Sequence, residues 1–212
     1  EIKAFASGIH KGEILTPRDE TFLNLLVIGI GGSALGPQLA IDALTGADIP
    51  MSVHFLDNTD PDGIDREIKR IGNGLNRTLS LVISKSGGTK ETRNGMLEAK
   101  AAYEAAGLDF GRHAVAITAP GSKLDQFANE HNWIGRFEMN DWVGGRTSIT
   151  SVVGLMPMAL AGIDIEDFLN GAAQTDAKTR NSEVQENASM LLALAWHHAD
   201  RMAVRGHISP LC

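Results

Sequence analysis

The chain has 212 residues, 43% hydrophobic and 21% charged, which is enough to bury one sizeable core. A formal net charge of −7 and a pI near 5.5 argue against a non-specific nucleic-acid binder, but leave room for a small anion held by local donors. The single cysteine, Cys212, excludes an internal disulfide and a cysteine-based zinc cluster, and it fits a reducing cytoplasm. The sequence carries no signal peptide and no apolar run long enough for a membrane span. It opens at Glu1 without an initiator methionine and reads as part of a longer protein.

The first twenty-odd residues read as polar and irregular. Apolar, β-rich runs then alternate with helical patterns. Strands are predicted at Asn24–Ile30, Ser52–Leu56, Leu79–Ser84, Ala114–Thr118 and Ile134–Met139. Their continuous apolar character is that of strands covered on both faces. Helices are predicted at Ala34–Leu44, Asp62–Ile71, Lys90–Ala106 and Lys123–Glu130, the last opened by the capping-box pattern Ser122-Lys-Leu-Asp125. This alternation predicts an α/β fold: a doubly wound, mainly parallel five-stranded sheet flanked by helices. Beyond Arg146 the pattern becomes helical, at Ser148–Ala161, Ile165–Ala173 and Glu183–Ala199, with Pro157 expected to kink or break the first. Residues 201–212 lose periodicity and carry Gly206 and Pro210.

Two strand-to-helix turns carry the chemistry. Gly29-Ile-Gly-Gly-Ser-Ala-Leu-Gly36 follows the first strand, and Ser84-Lys-Ser-Gly-Gly-Thr-Lys-Glu-Thr92 follows the third. Glycines admit a ligand close to the backbone, and each following helix points N–H groups and a positive dipole end at it. The first turn also fits a relaxed dinucleotide fingerprint, Gly29-x-Gly31-x-x-Ala34, with Asp57 placed as a ribose-binding acid. Ser33 is expected at the helix N-cap, free either to cap or to face a ligand. In the second turn Ser84, Ser86 and Thr89 can supply hydroxyls, Lys85 a charge, and Thr89 a helix cap. The Walker spacing is absent. A third constellation, Gly144-Gly-Arg-Thr-Ser148, brings a forked cation into a tight backbone turn, suited to phosphate or to a developing oxyanion.

Other candidates are weaker. His197 and His198 are neighbours on a helix and point apart, His131 reads as a surface or C-cap residue, and Glu91 and Asp57 have no evident proton partner. Trp133, Trp142 and Trp196 read as core or interface residues.

Taken together, Gly29–Gly36, Ser84–Thr92 and Gly144-Gly-Arg146-x-Ser148 resemble the sugar-phosphate-binding domain of the phosphoglucose isomerases, in a bacterial, cyanobacterial-like form. Asp57-Asn-Thr-Asp-Pro-Asp62, Gly121-Ser-Lys-Leu124 and Ser151-Val-Val-Gly154 extend the resemblance, which runs from Ile2 to Ala199. It implies the sugar-isomerase-domain fold and an enzyme of glycolysis and gluconeogenesis. That enzyme interconverts glucose 6-phosphate and fructose 6-phosphate through a cis-enediolate, with no cofactor and no metal. By resemblance the substrate is bound by Gly32, Ser33, Ser84, Lys85, Ser86 and Thr89, its phosphate by Ser33, Ser84, Ser86 and Thr89 with backbone N–H groups around Lys85 and Ser86, and Arg146 stabilises the enediolate. Gly88 departs from the threonine of many members, and Thr147 from an aromatic residue.

The family's catalytic glutamate, in a Met-Glu-Ser-type segment, and its C-terminal histidine and lysine are not found in this sequence. The chain alone is therefore expected to bind sugar phosphate weakly without turning it over. The longer protein is expected to be a cytoplasmic homodimer, without nucleic-acid or membrane partners. The domain reading is 1–22 as an N-terminal remnant, 23–147 as the sugar-phosphate-binding α/β domain, 148–200 as its helical extension, and 201–212 as a non-native tail. Two other classes stay open: a non-catalytic sugar-phosphate-binding regulatory module of the same fold, and an NAD-dependent dehydrogenase.

Overall fold

The computed structural model describes residues 1–46 and 48–201. Five strands, β1 (Asn24–Ile28), β2 (Ser52–Leu56), β3 (Thr78–Ile83), β4 (Ala114–Thr118) and β5 (Gly135–Glu138), form one parallel sheet in the order β2-β1-β3-β4-β5. β3 is buried at every position, which is why its sequence shows no alternation. β5 lies at the edge and buries only Phe137.

Strand parity separates two layers. Leu26, Ile28, Val82 and Ala116 pack with Ile64 of α3 (Pro61–Ile71), Met96 of α4 (Lys90–Ala105) and Leu124 of α5 (Lys123–Glu130). Leu25, Val27, Leu81 and Ile83 are equally buried but have the opposite parity. The other three helices of this body, α1 (Ile2–His10), α2 (Leu35–Leu44) and α6 (Val152–Leu160), group together, α6 touching α1, α2 and β1. In the first layer the only tyrosine of the chain, Tyr103, is fully buried. Its hydroxyl donates to the Thr78 carbonyl (3.0 Å) and accepts from Ser80 Oγ (3.1 Å). Burial pushes its pKa well above the ordinary phenol value, against the smaller pull of those two bonds.

The topology locates the site. From β1 the chain crosses through α2 to β2 on one side, and from β3 it crosses through α4 to β4 on the other. Connections diverge at the β1/β3 boundary, so the topological switch point, where sheets of this kind bind their ligands, lies at the carboxyl ends of these two strands. Both glycine turns begin there.

Two expectations are corrected. Residues 2–10, expected to be irregular, form α1: Ile2, Phe5, Ala6 and Ile9 fall at helical spacing, and Ala6 and Ile9 are buried. The segment Ser148–Ala161 is not one helix broken at Pro157. It divides at Ser151, where extended backbone separates a 3₁₀ stretch (Gly145–Thr150) from α6, and α6 runs on through Pro157. Ser151 caps that new start, its hydroxyl accepting from Val153 N–H (3.3 Å). The chain forms two compact units, Glu1–Asp164 and the residues from Ile165 onward, and α6 packs within the first.

The second unit, from Ile165 onward, contains α7 (Ile165–Thr179) and α8 (Ala188–Arg201). Buried Asn187 organises their link, donating to the Thr179 and Asn181 carbonyls (2.9 and 2.8 Å) and capping α8 at Met190 N–H (3.1 Å). The tail expected at 201–212 lies, apart from Arg201, outside the described residues.

Candidate active site

The first turn is built from backbone. After Ile30, Gly31–Ser33 make one 3₁₀ turn, with Gly31 in the left-handed region (φ 57°), and α2 begins only at Leu35. This extra turn makes Ala34, not Ser33, the N-cap residue, and no side chain caps α2. Pro37 occupies the first helical turn, where its missing N–H costs no hydrogen bond. The Ser33 hydroxyl, half-buried, has no partner among the described residues. Gly32 meets Gly145 backbone to backbone: a Cβ on Gly32 would overlap the Gly145 carbonyl oxygen and stand 2.6 Å from Gly145 Cα. Buried Ser148 places its Oγ 2.9 Å from the Gly32 carbonyl and 2.8 Å from that of Gly145. The third constellation is thus fastened onto the first turn.

The second turn is built from side chains. Ser84 continues β3 by donating its N–H to Ile117 (3.1 Å), and its carbonyl accepts from Thr118 Oγ1 (2.6 Å). Gly87 is left-handed (φ 64°), and a Cβ there would overlap the Leu124 nitrogen and stand 2.8 Å from Leu124 Cβ. The turn therefore lies against the first turn of α5. Ser86 Oγ accepts from Gly88 N–H (3.1 Å) and keeps its own proton to donate. Thr89 stands at the N-cap of α4, but its hydroxyl makes no cap bond. Ser84 Oγ is fully buried and has no hydrogen-bond partner among the described residues, a costly state for a hydroxyl unless a ligand or water completes it.

The N-terminus of α5 is stiffened beside this turn. Ser122 Oγ accepts from Asp125 N–H (3.0 Å), as the capping pattern predicts, but the Asp125 carboxylate reaches past Ser122 to Gly121 N–H (2.8 Å) and to Arg136 (2.9 Å). The Gly121 N–H first, and Arg136 second, hold Asp125 below the usual carboxylate range.

Between α4 and α5 opens a cleft of about 450 Å³, lined by Ser84, Thr89, Thr92, Leu124 and Phe127 and by two cations, Arg93 and Lys123. Nothing in the turn motifs singled out those cations; they reach the cleft only because α4 and α5 are neighbours. Gly32, Ser33 and Arg146 do not line it. Ser84 therefore lines this cleft while standing directly after β3 at the β1/β3 switch point. Gly29 marks how closely the two turns approach: a Cβ there would lie 2.8 Å from Ser33 Cβ and 3.4 Å from the Ile83 carbonyl.

Lys85 does not direct its charge into the second turn. Its ammonium bonds to the Asp141 carbonyl and to the Val143 carbonyl (3.3 Å), with the Asp141 carboxylate at 3.5 Å. Arg146 is exposed, with no carboxylate or other partner among the described residues. Asp57, the candidate ribose ligand, already accepts from Gln38 and Asn58 (2.8 Å each). His131 is the C-cap of α5 and stacks on Phe127, as expected of a surface cap. Trp133 is buried, whereas Trp142 is 82% exposed and belongs to no core. No group of three or more His, Cys, Asp or Glu among the described residues is placed to hold a metal, and no described helix is long and apolar enough to cross a membrane.

Comparison with known proteins bears on this arrangement. A model of the phosphoglucose isomerase family matches residues 1–207. The glucose-6-phosphate isomerase of Geobacter sulfurreducens is 60% identical over 201 residues, covering 94% of this chain and 38% of the relative. That of Rippkaea orientalis is 57% identical, covering 93% of this chain and 37% of the relative. The solved structure of a glucose-6-phosphate isomerase from Chlamydia trachomatis superposes with a TM-score of 0.81 at 32% identity, over 94% of this chain and 36% of the other. A hypothetical protein from Thermus thermophilus gives 0.75 at 30% identity, over 94% and 46%. The chain thus spans about 38% of the length of curated relatives such as the Geobacter enzyme. Nearly the whole of its length matches the family model, and its two turns meet at the sheet's switch point: the chain belongs to the phosphoglucose isomerase family.

Proposed function

We propose that this chain is the sugar-phosphate-binding part of an isomerase that interconverts glucose 6-phosphate and fructose 6-phosphate. The observation that carries the reading is Ser84 Oγ, buried and unpartnered at the switch point. Beside it Ser33 and Thr89 also keep uncommitted hydroxyls. A phosphate there would take hydroxyl donors from Ser33, Ser84, Ser86 and Thr89, with N–H groups around Lys85 and Ser86 and the amino end of α4. Inorganic phosphate and the sugar phosphate share these donors. The sugar would extend over the β1/β3 switch point, toward Gly32 and Arg146.

Isomerisation moves a proton between C1 and C2 and places negative charge on the enediolate oxygens. An unpaired guanidinium can stabilise that charge without first breaking an ion pair. The proton carrier belongs to a part of the protein beyond this chain. The same reading makes the complete protein a cytoplasmic homodimer. The dehydrogenase alternative is not favoured, because Asp57 is already engaged and the second turn would have no task. The family match likewise favours the enzyme over a regulatory module.

Titration of the chain with fructose 6-phosphate, followed by amide resonances, tests the reading. Shifts concentrated at Gly32–Ser33, Ser84–Thr89 and Arg146 are expected. NAD binding at Gly29–Ala34, with no response to the sugar phosphate, would overturn it. In the complete enzyme, Arg146→Ala should lower kcat about 10²–10³-fold with a smaller change in KM. An equal loss of affinity for inorganic phosphate would move Arg146 onto the phosphate.

A further inference from the structure

From its geometry we infer that Lys85 is a positioning residue, a strut that couples occupation of the Ser84–Thr89 turn to the placement of Arg146. This rests on the sugar-phosphate reading above. An ammonium has three donors, and here three oxygens of one loop surround it: the Asp141 and Val143 carbonyls and the Asp141 carboxylate. The carbonyls matter more than the ion pair, since Asp141 is fully exposed and an exposed pair contributes little.

The Lys85 backbone is fixed as well. Its carbonyl accepts from Ala119 N–H (3.0 Å) and Thr118 Oγ1 (3.2 Å), so one residue ties the second turn to the end of β4 and, through its side chain, to the chain after β5. Three residues beyond Val143 comes Arg146. On its other side that loop is held where Gly145 meets Gly32 and where Ser148 reaches both carbonyls. Arg146 is therefore suspended between two anchorages, one on each glycine turn. Buried Val143, which also donates to the Asn140 carbonyl (3.1 Å), sets the spacing on the Lys85 side. A phosphate that settles Ser84–Thr89 would fix the base of the strut and so narrow the positions open to the guanidinium.

The test compares Lys85→Met with Lys85→Arg in this chain, first without ligand and then with inorganic phosphate. Without ligand, the hydrogen-bonded amides of Val143 and Thr147 should exchange about tenfold faster in Lys85→Met, and Lys85→Arg should restore most of the protection. Unchanged exchange would overturn the strut. With phosphate, the amides of Asp141–Arg146 should shift together with those of Ser84–Thr89 in the unsubstituted chain. In Lys85→Met only the second group should shift, with affinity falling no more than about tenfold. An affinity loss above about a hundredfold would make Lys85 a direct phosphate ligand and overturn the inference. If phosphate fails to bind the unsubstituted chain, the sugar-phosphate reading fails, and the ligand-free exchange still decides the strut.

Discussion

The two glycine turns look alike in sequence and are used in opposite ways. Around Gly29–Ser33 the glycines exist because another backbone needs the space: Gly32 lies on Gly145, and the Arg146 loop leans on that contact. Around Ser84–Thr89 the glycines bend the chain against α5, so that hydroxyls are left unspent around Ser84 Oγ. One turn is a bearing surface that keeps a single free donor, Ser33, and the other is a set of free donors. Glycine content alone does not tell a binding loop from a packing loop; what the glycines lie against, and how many neighbouring hydroxyls stay free, does.

Substitutions at the glycines should break this contrast most severely. Gly87→Ala combines left-handed backbone with overlap of Leu124, and should cost about 3 kcal/mol or more in urea unfolding while abolishing phosphate binding. Gly32→Ala should cost about 2 kcal/mol by displacing the Gly145 loop, yet retain phosphate affinity at the second turn. Equal phosphate losses in the two variants would erase the distinction. Next in size is Ser148→Ala, which removes the hydroxyl shared by the Gly32 and Gly145 carbonyls, for about 1 kcal/mol.

Ser84→Ala should change the stability of the free chain by less than about 0.5 kcal/mol, because Ser84 Oγ has no bond to lose. It should nevertheless weaken phosphate binding severalfold. A large destabilisation would mean that the hydroxyl serves the fold. The smallest effect concerns acid. Asp125 has a folded pKa below its unfolded one, so its contribution is present above the unfolded value and is lost as pH falls through the folded value. Asp125→Asn should flatten the acid side of a melting-temperature profile, with little change near neutrality.

Much of this was legible in the sequence. Ser52–Leu56 and Ala114–Thr118 match their predicted strands residue for residue, and the order of strands and helices follows from their alternation. β1 stops two residues short of its predicted end, and Ile30, still extended, leads directly into the Gly31–Ser33 3₁₀ turn. α1 was missed although its apolar spacing was present, since a nine-residue helix gains its stability from α6, far along the chain. Ser33 and Thr89 read as caps on position alone, but an inserted 3₁₀ turn and an unmade bond leave both hydroxyls free. Lys85 read as a phosphate cation because it lies among hydroxyls, and its partners stand more than fifty residues away. Local pattern specified which residues could bind; long-range contact decided which remained available.

Tyr103 gives the fold an optical reporter of its own. As the only tyrosine it carries the whole phenolate absorbance signal of the chain, and its hydroxyl is sealed between β3 and α4. Below the unfolded phenol pKa, near 10, this group adds nothing to pH dependence; above it, stability falls as pH rises, since the unfolded chain ionises first. Native protein in mild alkali should thus stay dark at the phenolate band, and each molecule should become visible only when that layer opens. A single absorbance trace after an alkaline jump would then time the opening of the sheet's central strand, with no label attached.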